Sequence, residues 1–167
     1  IFKDAEVKFV FCENEELYLK VKAASKDNKK IKGIYTFDPV ADVERWTAVK
    51  DLGEGKDPAK LKPLMDAVQP SDLLTLIYTS GTTGRPKGAV ITHGMSFWNS
   101  INLAELHDLS RSMVNFCFLP LFHTGGLNCY TNPAAYFGGS TLVMRTFDPG
   151  RALELISEPE RGITHFL

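Results

Sequence analysis

At 167 residues the chain has the length of one domain, enough to bury roughly 70% of its unfolded surface. Hydrophobic residues make up 44% and charged residues 23%, a balance that excludes a disordered chain. With 19 basic against 20 acidic residues the net charge is −1, without the basic excess of a dedicated nucleic-acid binder. No apolar run reaches the length of a membrane span; the longest, residues 116–122, is broken by Pro120.

Residues 7–12 have the β-branched and aromatic content of a strand. Residues 16–24 predict a helix with Leu17, Val21 and Ala24 on one face. A solvated polar turn at 26–30 leads to a second strand over 31–37. Strand, helix and strand in that order predict a parallel βαβ unit. Between 38 and 70 the periodicity fades. Trp46 and Val49 anchor one short helix, 53–58 reads as a loop, and Pro63 and Pro70 punctuate the stretch beyond it.

Residues 73–78, mostly apolar, predict a buried strand, and residues 88–92 a second one. Between them stand four hydroxyls (Thr79, Ser80, Thr82, Thr83), two glycines (Gly81, Gly84) and a cationic end at Arg85 and Lys87. Glycines let backbone N–H groups turn towards a ligand, successive N–H groups form an anion-binding concavity, and a lysine adds a point charge suited to phosphate. The run is built to hold a polyphosphate. It is not a Walker A loop, because the sixth position from Gly81 is Pro86 and Lys87 precedes its glycine. Nor is it G-x-G-x-x-G, and Pro86 disfavours a helix here. Gly81 to Gly84 is formally the GXXG clamp of KH RNA-binding domains, but the two flanking strands and the charge balance argue against that reading.

After the loop, Thr92-His93-Gly94 leads into a helix from about Met95 to His107, with Phe97, Ile101 and Ala104 on one stripe and Trp98 alongside. Residues 113–119 predict a strand ended by Pro120. Gly125 and Gly126 open a helix through Phe137, closed by Gly138-Gly139, and residues 140–144 form a strand. Asp148 and Pro149 supply an N-cap and a first-turn proline for a helix that buries Leu153 and Ile156. The aromatics Phe97, Trp98, Tyr130, Tyr136 and Phe137 fit helix faces in a core, with the wall of an acyl tunnel as the alternative for the last three. The alternation is that of an α/β fold. Cys12, Cys117 and Cys129 are odd in number and far apart, without C-x-x-C. Cys12 and Cys117 lie in apolar stretches and predict buried free thiols, a reducing cytoplasmic setting and no zinc site.

Residues 79–88 fill every position of T-S-G-T-T-G-x-P-K-G, and so resemble the phosphate-loop signature of the adenylate-forming (AMP-binding) superfamily. Residues 118–126, an apolar strand end followed by Pro, an aromatic, His123 and two glycines, resemble the next motif of its acyl-CoA synthetases, as residues 148–167 resemble the helix and strand beyond it. The resemblance is close from about Asp72 onward and only compatible before Gln69.

It implies a fragment of the layered α/β N-terminal domain of an AMP-forming acyl-CoA synthetase, incomplete at both ends, with 1–69 as a βαβ segment and irregular connection and 70–167 as the phosphate loop and a following α/β segment. The opening Ile1 and a strand cut short at 162–167 suit an excised piece. The family's later Tyr-Gly-x-Thr-Glu motif, ribose aspartate, hinge and C-terminal-domain lysine are not found in the chain, so that the piece alone is expected to be inactive. The implied substrates are ATP, coenzyme A and a carboxylic acid, fatty or aryl, with Mg²⁺. Thr79, Ser80, Gly81, Thr82, Thr83, Gly84 and Lys87 would hold the phosphates, Thr82 or Thr83 the metal. Lys87 and His123 would be catalytic. His123, with Thr124, Gly125 and Gly126, would line the acid pocket, although the two glycines also serve simply to start a helix. His93, His107 and His165 read as structural or exposed. A homo-oligomer is left open. Two other readings share the loop: an amino-acid-adenylating domain and a non-catalytic nucleotide-binding module.

Overall fold

The computed structural model describes residues 1–81 and 84–167. The chain forms two compact units, Ile1–Ala67 with Ser80–Gly88, and Val68–Thr79 with Ala89–Leu167.

In the first unit β1 (Phe9–Cys12) pairs in parallel with β2 (Gly33–Thr36), Phe9 opposite Gly33 and Cys12 opposite Thr36. The helix between them, α1 (Glu15–Ser25), starts where the Asn14 side chain accepts from the Leu17 N–H at 3.1 Å. The βαβ unit read from the sequence is present. The covered side of α1 differs from the expected one: Tyr18, Val21 and Ser25 are half-buried, while Leu17 and Ala24 face solvent. Two stripes overlap at Val21, one at i, i+4 and i+7 from Leu17 and one at i, i+3 and i+7 from Tyr18, and the one bearing the larger Tyr18 ring is covered. Phe11 stacks on Tyr35, and Phe37 continues the aromatic row to Trp46 at the start of α2 (Trp46–Asp51).

Pro58 and Pro63 do not break structure, as the sequence suggested, but begin it. A 3₁₀ turn (Pro58–Leu61), capped by Asp57 on the Ala59 N–H, runs into α3 (Lys62–Asp66). Proline lacks only an N–H that a first turn leaves unpaired anyway.

The second unit holds β3 (Leu73–Thr79), a hydrogen-bonded neighbour of β4 (Lys87–Thr92), whose residues from Ala89 onward belong to the same unit; the short connection 80–86 allows only an antiparallel pair. Of β3 only Ile77 is buried, and Leu73 and Leu74 are exposed, contrary to the buried strand expected. A two-stranded pair has no neighbours to cover both faces. The helix α4 (His93–His107) begins two residues earlier than its periodicity suggests, because Thr92 caps the Met95 N–H and the Gly94 N–H bonds the Pro70 carbonyl. Its covered side runs through Ser96, Ser100, Leu103 and Ala104. Phe97 and Trp98 point outward, Trp98 with 61% of its surface exposed.

The rest is a parallel sheet of order β6-β5-β7, with β5 at Val114–Cys117, β6 at Ser140–Val143 and β7 at His165–Phe166. Alternate residues of β5 serve opposite faces. Phe116 packs with Ala152 and Leu155 of α7 (Pro149–Ser157), whereas Asn115 and Cys117 reach the chain that crosses over to β6. That crossover is one wound segment: α5 (Thr124–Gly126), a π-helical stretch (Leu127–Thr131) and α6 (Asn132–Phe137), ended by left-handed Gly138. Leu109, Met113 and Ala134 form the core beneath it, with Tyr130 and Phe137 packed alongside. Tyr136 is half exposed, and on α7 Leu153 faces water while Ala152 takes the buried place. Cys12 and Cys117 are buried free thiols, as expected. Among the described residues no helix is long and apolar enough to cross a membrane.

Candidate active site

The phosphate-loop residues are presented at the end of a strand. Ile77 anchors β3, and the chain beyond it is open to solvent: Thr79, Ser80, Gly84, Arg85, Pro86 and Lys87 are exposed. Gly81 takes φ +62°, and a Cβ there would meet the Arg85 carbonyl oxygen at 2.5 Å. The chain therefore folds back on itself at a point only glycine fits. The Gly84 N–H returns to the Gly81 carbonyl at 3.3 Å, with Gly84 also left-handed at +77°. Lys87 is the first residue of β4, so a strand fixes its backbone while the residue itself is exposed. Thr82 and Thr83, the expected metal ligands, lie outside the described residues. Among the described residues no cluster of His, Cys, Asp and Glu could hold a metal ion.

The second group stands at the carboxyl end of β5. The chain leaves this strand by a crossover to β6 on one side and comes back to β7 on the other, so β5 and β7 meet at a topological switch point. Open α/β sheets bind ligands outside such carboxyl ends. The gap there, lined by Cys117, Leu119, Gly126, Tyr130 and Leu167, has a volume of only about 10 Å³, near the minimum for one water. Residues 118–122 form the exit, the His123 N–H bonds the Pro120 carbonyl, and His123 caps the crossover helix: its Nδ1 accepts from the Gly125 N–H at 3.2 Å. His123 and Thr124 are exposed, Gly125 is half-buried and Gly126 buried. The predicted acid-pocket residues are thus brought into one turn. Gly126 has no space for a side chain, since a Cβ would lie 2.4 Å from the Pro120 carbonyl oxygen.

Polar side chains that the sequence did not single out tie this turn down. Asn128 donates to the Thr124 hydroxyl at 3.0 Å, receives Asn132 at 2.9 Å, and its carbonyl receives Asn99 at 2.7 Å. On the sheet side Thr131 donates to the Gly126 carbonyl at 2.7 Å, and Asn115 donates to Thr131. No local pattern announces these partners. His107 and His165 are structural, as read: Tyr130 bonds His107 Nδ1, and His165 Nε2 meets the His107 carbonyl at 2.7 Å. His93 lines a groove with Ser96, Phe97 and Tyr136.

A family model described as AMP-binding enzyme matches residues 1–166. The chain is 40% identical over 124 residues to an indoleacetate–CoA ligase of Aromatoleum aromaticum, covering 74% of this chain and 24% of the relative. It is 35% identical over 127 residues to the medium/long-chain-fatty-acid–CoA ligase FadD8 of Mycobacterium tuberculosis, covering 75% of this chain and 22% of that one. Among solved structures it superposes on ATP-bound MatB from Rhodopseudomonas palustris with a TM-score of 0.68 and 28% identity, over 94% of this chain and 29% of MatB. The chain thus spans about a quarter of the length of these relatives.

Proposed function

The chain belongs to the AMP-binding enzyme family and has the α/β fold of its N-terminal domain, and we propose that it is the phosphate-loop part of an AMP-forming acyl-CoA synthetase. The observation that carries the reading is the unbroken 79–88 signature on an exposed strand–loop–strand, with Lys87 fixed at its end. The kinship to two CoA ligases supports coenzyme A as the acceptor and an aryl or fatty acid as the acid.

In this reading a carboxylate oxygen attacks the α-phosphorus of ATP. The new C(O)O–P bond forms as the bond to the β-phosphate breaks, and pyrophosphate leaves with the electron pair. The coenzyme A thiolate then attacks the acyl carbon and expels AMP. Charge grows on the leaving pyrophosphate, so donors there must grip harder in the transition state than in the ground state. The hydroxyls of Thr79 and Ser80, the backbone of Gly81 and Gly84 and the Lys87 ammonium take this task, joined by Thr82 and Thr83. Hydrogen bonds to charged groups contribute about 1.5–3 kcal/mol each. His123, with Thr124, Gly125 and Gly126, receives the acid.

Mg²⁺ is hard and keeps few protein ligands beside substrate phosphates. An exposed hydroxyl loop fits that preference better than a carboxylate cage would, and Thr82 or Thr83 is the proposed protein ligand. The ion would offset triphosphate charge.

The test is thioester formation by the full-length protein from ATP, coenzyme A and a panel of aryl, fatty and amino acids, read by mass spectrometry. Acyl-CoA and AMP from one acid class support the proposal and identify that class. Stable ATP binding with no product from any acid would reduce the chain to a nucleotide-binding module.

A further inference from the structure

The crossover after β5 is braced by half-buried Thr131 and buried Asn115, a pair that the adenylation scheme leaves unused. We infer that Thr131, held by Asn115, is a positioning residue that keeps His123 as a hydrogen-bond donor through Nε2. The inference takes from the proposed function only that His123 meets the acid.

The chemistry starts at Nδ1. A backbone N–H can only donate, so the Gly125 N–H at 3.2 Å requires a lone pair on Nδ1. In the neutral ring the proton then sits on Nε2. That bond exists because Gly125 lies in the first turn of a helix whose next residue is clamped. Gly126 lies against the Leu119 and Pro120 carbonyls with no space for a Cβ. Its own carbonyl accepts from Thr131 Oγ1 at 2.7 Å and from Cys117 Sγ at 3.6 Å.

Thr131 is the last residue of the π-helical stretch Leu127–Thr131. Widening the turn places its hydroxyl five residues on from Gly126, where the side chain satisfies that carbonyl. The hydroxyl is in turn held by Asn115 Nδ2 at 3.3 Å, whose other reach is to Thr141 at 3.5 Å. Asn115 is 2% exposed in a strand otherwise made of Val, Phe and Cys. An amide there is unfavourable unless its hydrogen bonds are made, and the bond to Thr131 leads directly to the His123 turn.

The consequence is chemical. A substrate carboxylate is already ionised and needs no base. It needs one oxygen held while the other attacks, and a fixed Nε2–H does that without removing a proton.

The test uses the full-length protein labelled with ¹⁵N-histidine, with His123→Gln assigning the resonances. Long-range ¹H–¹⁵N spectra are expected to show His123 in the Nε2–H pattern. Thr131→Val should convert that pattern to a tautomer mixture and lower kcat for acid-dependent pyrophosphate exchange roughly tenfold or more, by misplacement of a reacting group. KM for ATP should stay within about twofold, and Thr131→Ser should restore both readouts. An Nδ1–H pattern in the unmutated protein overturns the inference with no variant needed. So does a Thr131→Val protein whose tautomer and kcat match the original. A protein that shows no exchange, yet has the Nε2–H pattern and loses it in Thr131→Val, supports the positioning role and counts against the proposed function instead.

Discussion

Gly126 sits so close beneath Pro120 that a Cβ on it would lie 2.4 Å from the Pro120 carbonyl oxygen and 2.7 Å from that of Leu119. Both neighbours are backbone, so neither can rotate away. Gly126→Ala should lower stability by about 1–3 kcal/mol, the range for overpacking a filled site. Gly125, whose Cβ would meet only the Leu119 side chain at 3.4 Å and His123 Nδ1 at 3.5 Å, is the control, and Gly125→Ala should cost less than about 1 kcal/mol. Urea midpoints of the two variants decide this; equal midpoints would mean that the close approach does not hold.

The two described glycines of the phosphate loop separate strain from clash. Both are left-handed, but no described residue comes within 4 Å of the Gly84 Cβ position, while Gly81 faces the Arg85 carbonyl at 2.5 Å. Gly84→Ala should bear only the left-handed penalty of about 1–2 kcal/mol. Gly81→Ala must also reshape the turn. We expect KM for ATP to rise several-fold more in Gly81→Ala than in Gly84→Ala, measured by initial rates of pyrophosphate exchange.

Cys12 gives a pH dependence. It is 3% exposed at the end of β1, and burial pushes its thiol above the ordinary value because the thiolate is desolvated. A group whose pKa is raised in the folded state contributes stability below the unfolded pKa, about 8.5 for a thiol, and loses it as pH rises through the folded value. Stability should therefore decline on the alkaline side more in the original protein than in Cys12→Ala. Alkylation by iodoacetamide at neutral pH should reach half-buried Cys129 well before Cys12. Equal labelling rates would contradict the burial.

The Asp148 carboxylate accepts from the Arg151 N–H at 2.6 Å and starts the helix that buries Ala152 and Leu155. Asp148→Ala should cost about 1 kcal/mol, and Asp148→Asn, which keeps the acceptor, much less. Thermal melts of the pair check it.

What could be read from the sequence was what is local. The Asp148-Pro149 start, the Gly138 stop, the βαβ order and the strand–loop–strand around the 79–88 signature all rest on neighbours within a few residues. What could not be read was the direction a helix faces. On α4 the aromatics Phe97 and Trp98 attract the hydrophobic pattern, yet the covered side is built from Ser96 and Ser100, because a small side chain lets the helix pack closely. On α7 the pattern chose Leu153 over Ala152 for the same reason. Within the candidate site His123 and the glycines stood out through their motif. Asn115, Asn128 and Thr131 did not, since their value lies in partners 16 to 29 residues away or in a π-wound turn that no composition signals.

Whether the loop and His123 serve the activation of an acid is the central question. The most direct test is ATP–pyrophosphate exchange by the full-length protein, without coenzyme A, with and without its preferred acid. We predict exchange that depends on the acid, reduced roughly 10- to 100-fold in Lys87→Met by loss of one contact to a charged group, and clearly lowered in His123→Ala. Acid-independent exchange, or full exchange in both variants, would contradict a role for Lys87 and His123 in activating the acid.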